Sequence, residues 1–178
     1  EIAEEAPHDE RSRHELSVAL HRQANILKTL GGLEEAIAAR RECLALVDRL
    51  SSDYPRNPQY QYDSFMNLLV VSGELVRVDK KQEALACLKQ AEVRIRRLAK
   101  DFPARPVFAD ALAALCNELA LQHHEQGDPS QAIKLWDEAA AISTELLQAH
   151  PNRPLFGKHA AVAHSALAAR SRASLALP

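Results

Sequence analysis

The sequence predicts an all-α protein, a right-handed α-solenoid of antiparallel helix pairs with three pairs and a C-terminal capping helix. Three observations predict it. Residues 32–60, 80–108 and 128–156 repeat one pattern, with Ala36, Ala84 and Ala132 spaced 48 residues apart. Leu50, Leu98 and Leu146 keep the same spacing, as do the aromatics Tyr60, Phe108 and Phe156. A fixed period of this length is the signature of a stacked array. The prolines obey it too: all nine except Pro129 and Pro178 fall in two positions of the period, Pro7/Pro55/Pro103/Pro151 and Pro58/Pro106/Pro154. Finally, 47% apolar content with 4% aromatics and only five glycines supplies a helical core and argues against a β-rich alternative.

The chain opens in mid-repeat. Ile2 falls in the position of Leu50 and Pro7 in that of Pro55, so residues 1–7 read as the tail of a preceding truncated repeat. The 178 residues then read as one array within a longer protein, with units about 9–56, 57–104 and 105–152 and a capping helix over 155–173. The first helix, 9–30, places Leu16, Leu20, Ala24 and Leu27 at helical spacing and stops at Gly31-Gly32, where glycine accepts the left-handed conformation. The next, 33–52, ends before Pro55, because proline lacks the N–H a helix interior needs and pushes its predecessor out of the α region. Pro58 suits the first turn of 58–78, which stops at Asp79-Lys80. Helix 81–101 carries Ala84, Leu88, Ala91, Ile95 and Leu98 on one stripe. Helix 106–126 starts on Pro106 and ends at Gly127. Asp128 followed by Pro129 reads as N-cap and first turn of 129–149, whose stripe is Ala132, Ile133, Trp136, Ala139, Ser143 and Leu146. The last helix, 155–173, is rich in alanine, bears His159, His164, Arg170 and Arg172, and has no second helix after it, as a solenoid cap requires.

Small residues recur where two helices must approach: Ala24/Ser72/Ala120 in the first helix of each pair, Ala36/Ala84/Ala132 and Cys43/Ala91/Ala139 in the second. With Gly31 and Gly127, these series resemble the tetratricopeptide repeat family. That family's usual period is about 34 residues; this longer period places extra turns at the far ends of both helices. The resemblance implies a superhelix of that type, most like the long-period arrays of large multidomain bacterial proteins, some of which carry signalling domains.

Composition excludes several functions. Net charge is −2 with both signs mixed, so nothing points to nucleic acid or an anionic membrane surface. No run reaches the roughly 18 apolar residues a membrane span needs. Cys43, Cys87 and Cys116 are three, without short spacing, and read as small buried hydrophobes in a reducing, cytoplasmic compartment. His14 and His21 are seven apart, and His123 and His124 are neighbours about 100° apart on a helix; neither pair converges on a metal. His123 shares its position with Leu27 and Leu75 and reads as an inward histidine. Nucleophile elbows and phosphate loops are absent, so no enzyme and no cofactor are expected. Lys89, Arg96, Arg97 and Lys100 make 81–101 locally basic, but counterparts such as Asp137 and Glu145 are acidic, which reads as a solvated convex face.

In the family the first helices line a concave face that receives peptides or partner helices. Carried over by position, that face is His21, Asn25 and Lys28, then Met66, Leu69 and Arg77, then Asn117, Leu121 and His124. Of the family's carboxylate-clamping pattern Asn25 keeps one element, while His21, Val70, Ala114 and Glu118 stand where the others would be. An apolar centre with polar ends suits an amphipathic partner. The expected function is a protein-interaction scaffold. The alternative is a structural spacer, or an element self-associating through exposed repeat ends.

Overall fold

The computed structural model describes residues 9–175, except the side chains of Leu155 and of residues 169–175. The proposed repeat tail at 1–7 lies outside the described residues, as do the side chains of Arg170 and Arg172. Seven α-helices follow one another: α1 (Glu10–Thr29), α2 (Leu33–Asp53), α3 (Pro58–Arg77), α4 (Lys81–Asp101), α5 (Pro106–Glu125), α6 (Pro129–Ala149) and α7 (Lys158–Leu175). There is no strand among the described residues. No described helix is long and apolar enough to cross a membrane. The chain divides into two compact units, Glu1–Arg94 and Ile95–Pro178.

The helix ends follow the local chemistry. Asp9 caps α1, its carboxylate accepting from the N–H groups of Arg11 (2.7 Å) and Ser12 (3.2 Å). Asn57 and Asp128 do the same for α3 and α6, each followed by a proline in the first turn. The α1, α3 and α5 termini share one geometry. Gly31, Asp79 and Gly127 all have positive φ. The next residue donates back five positions, Gly32 to Leu27, Lys80 to Leu75 and Asp128 to His123, at 2.8–2.9 Å. These are Schellman closures, satisfying carbonyls the helix leaves open. The proline breaks also repeat. Tyr54, Phe102 and His150 donate to Leu50, Leu98 and Leu146 respectively, and each ring meets the aromatic six residues on, at 5.6–6.2 Å between centroids.

In the first unit, α1 and α2 cross at Ala24, Ala36 and Ala39, with Leu27 beside them. α2, α3 and α4 meet at Ile37, Val71, Leu75 and Ala84. Small side chains at these crossings let helix axes close up; the larger ones supply about 1.5–3 kcal/mol each on burial. In the second unit, α6 packs against both α5 and α7, with Ala120, Ala132, Trp136, Ala139 and Ala163 buried. The last helix departs from expectation at its start. Pro154–Gly157 form a 3-10 turn, and the α-helix begins only at Lys158. Gly157 explains the delay: a glycine in the opening turn weakens α-helix there, and the positions corresponding to it in α3 and α5 are Gln61 and Ala109.

Candidate partner-binding face

The first unit holds the residues of most interest. On α1, His21, Asn25 and Lys28 lie at i, i+4 and i+7, which places them along one side of the helix. All three are exposed. They are held from beneath by a group that hydrophobic patterning does not reveal. Arg40 of α2 and Glu74 of α3 are each only 1% exposed. The guanidinium Nε of Arg40 lies 3.0 Å from both Glu74 carboxylate oxygens. Its Nη2 donates to Asn25 Oδ1 at 2.6 Å, and its Nη1 lies 3.3 Å from His21 Nδ1. Lys28 Nζ stands 3.6 Å from Glu74.

A guanidinium only donates, so this geometry settles the surface chemistry above it. Asn25 spends its oxygen on Arg40 and keeps its NH2 as the outward group. His21 accepts through Nδ1, so its proton sits on Nε2. Together with the Lys28 ammonium, α1 presents three donors at this point. Breaking such a buried pair is costly because the remaining charge loses its partner; the donors therefore stand on a rigid support.

Beside the donors is a cleft of about 400 Å³. His14, Val18 and His21 of α1 form one wall, Asp63, Met66 and Asn67 of α3 the other, and Cys43 and Val47 of α2 the floor. The Cys43 thiol donates to the Ser17 carbonyl at 3.2 Å, and burial pushes its pKa up, which makes it a structural rather than reactive thiol. Asn67 donates to the Asp63 carbonyl, while its own Oδ1 is buried without a protein partner. Met66 is exposed, Leu69 half-buried, and Arg77 exposed at the end of α3.

In the second unit the expected residues fare differently. Leu121 and His124 are exposed on α5, the His124 ring 5.8 Å from that of Trp136. Asn117, expected on the open face, is instead 9% exposed, and its NH2 donates to the His159 carbonyl of α7 at 3.0 Å. The reason is α7 itself, which packs against α5 as well as α6. His123, expected inward, is half-buried with Nδ1 3.7 Å from Asp128. Among the described residues no group of three His, Cys, Asp or Glu gathers to hold a metal.

The basic residues of α4 divide. Arg96 pairs with Glu138 of α6 and holds its carboxyl below the usual range by hydrogen bonding. Arg97 pairs with Asp101 one turn on. Arg94, in the first unit, bridges Asp48 and Ser64.

Fold and site together define an all-α helical-repeat protein with a cleft beside an exposed polar trio on α1. The chain matches no protein-family model and no curated protein. Among solved structures it is similar to a chain described as "DHF79 filament", at 18% identity over 92% of this chain and 84% of that one, with a TM-score of 0.49.

Proposed function

We propose that this chain is a protein-interaction scaffold without catalytic chemistry, binding an amphipathic partner segment on the α1–α3 face of its first unit. The observation that carries the reading is the trio His21, Asn25 and Lys28, fixed as outward donors by the buried Arg40–Glu74 pair. A carboxylate of the partner meets the trio, and apolar side chains meet Met66, Leu69 and the neighbouring cleft. Arg77 anchors the far end, since a guanidinium can grip a carboxylate with two hydrogen bonds. The tetratricopeptide resemblance supports the same face.

The test uses the triple variant Lys28→Ala, Met66→Ala and Arg77→Ala. These side chains are exposed, so the melting temperature stays close to that of the parent. Affinity for a partner isolated by pull-down and then titrated falls at least tenfold, about 1.4 kcal/mol. Unchanged affinity, with binding lost instead on changing Lys89 and Lys100 of α4, would move the site and overturn the proposal.

A further inference from the structure

We propose that the outer face of α1, together with an acidic edge of α2, is a docking site for a basic amphipathic helix. The inference rests on a surface separate from the donor trio and is independent of the reading above.

The first line of argument is the register of the repeat. On α3, Ser64, Asn67, Val71 and Glu74 are all buried. Three of them meet α2: Ser64 bonds to Asp48, Val71 packs with Ile37, and Glu74 pairs with Arg40. The same positions are buried on α5 as Leu112, Leu115 and Leu119, and on α7 Ala163 is buried where α6 packs. One period back from α3, these positions on α1 are Leu16, Ala19, Gln23 and Ile26, with Leu30 one turn further. Here Leu16 is 40% exposed, Ile26 60% and Leu30 78%. A stripe that is buried on α3 and largely buried on α5 is solvent-facing on α1, with nothing among the described residues seated on it.

The second line is charge. Where second helices lie side by side, one supplies an arginine and the next a glutamate. Arg41 of α2 pairs with Glu83 of α4 at 2.5 Å, and Arg96 of α4 pairs with Glu138 of α6. Glu35 stands one period before Glu83, and Glu42 two periods before Glu138. Both are exposed, on the edge of α2 that adjoins the α1 stripe by the same register. A helix seated there, running with α2 and against α1, would bring an apolar stripe to Leu16, Ile26 and Leu30. It would also bring two cations, seven residues apart, to Glu35 and Glu42. Charge and shape thus specify one occupant, and α4 carries the matching pair in Lys89 and Arg96.

A fluorescent synthetic peptide with the sequence of residues 81–101, Cys87 replaced by serine, is therefore titrated against the intact chain. Saturable binding is expected, weakened at least tenfold by Ile26→Glu with Leu30→Glu. Glu35→Lys with Glu42→Lys weakens it at least threefold at low salt, and a peptide carrying Lys89→Glu and Arg96→Glu restores it. The substituted side chains are exposed, and an unchanged melting temperature confirms folding. Binding no tighter than that of a scrambled peptide, or indifferent to both pairs of changes, would overturn the proposal. So would loss of the peptide through Lys28→Ala, Met66→Ala and Arg77→Ala alone, which places it on the donor face. A dimer of the free protein, dissociated by Leu30→Glu in sedimentation, would assign the stripe to a second copy instead.

Discussion

Asp79 shows what one residue can reveal. It occupies the position of Gly31 and Gly127 and adopts their left-handed conformation, with φ of 59°. An L-residue there costs about 1–2 kcal/mol, somewhat less for aspartate; glycine avoids that cost but is more flexible when unfolded, by about 0.5–1 kcal/mol. Asp79→Gly should therefore stabilise the protein by about 0.5 kcal/mol, read as a higher urea midpoint at unchanged slope. Gly31→Ala should lose about 1–2 kcal/mol. A Cβ on Gly31 would meet nothing within 4 Å, so that loss measures backbone strain alone. A stabilising Gly31→Ala would mean that the closure at α1 is not strained. The 48-residue register makes Asp79 legible in hindsight: the break falls there in every repeat, whichever residue fills it.

Among the helices, the Arg40–Glu74 pair decides how α1, α2 and α3 meet on the donor side. Arg40 stands where the other repeats have Leu88 and Trp136, and Glu74 where they have Ile26 and Gln122. A charge in an apolar register position is the sequence signal that could have exposed the pair, and reading the series for small residues alone passes over it. Arg40→Leu leaves Glu74 buried without its main partner and should cost about 3–5 kcal/mol. Arg40→Leu with Glu74→Leu should recover most of that loss, because a buried ion pair replaced by apolar side chains is commonly neutral and the Arg40 position is filled by buried Leu88 and Trp136 in the other repeats. A denaturant titration of both variants completes the comparison. A single-variant loss below about 1 kcal/mol would show that water relieves the pair, and the donors would lose their rigid support.

For the molecule as a whole, acid titration separates two carboxyls of opposite sign. Glu138 is held below its ordinary pKa, first by its hydrogen bond to Arg96. A depressed carboxyl stabilises the folded state above its unfolded pKa and loses that contribution as pH falls through the folded value. Asp110 is raised by burial, only partly offset by His159 and Lys158. A raised carboxyl favours folding when protonated and loses that benefit as pH rises, so at neutral pH it destabilises. Glu138→Gln should then lower the neutral melting temperature, modestly because the pair is about a third exposed, by under 1 kcal/mol or about 2 °C. Asp110→Asn should raise it. Both differences should shrink below pH 4, and matching signs in thermal scans at pH 7 would refute the assignment.

The 48-residue period, the proline breaks, the glycine closures and the small residues at helix crossings are local or strictly repeating, and the sequence by itself determined them. Helices α1 to α6 lie within two residues of expectation for that reason. Tertiary structure decided which equivalent positions are open. His21 and Asn117 share one register position, yet α7 covers Asn117 while His21 stays exposed. Val71 and Gln23 share another, yet Val71 is buried against a neighbouring helix while Gln23 is exposed. Periodicity reports which side a residue takes on its own helix. Burial depends on whether a neighbouring helix is present at that side, and ion pairs between residues 34 to 46 apart depend on where both helices finally lie.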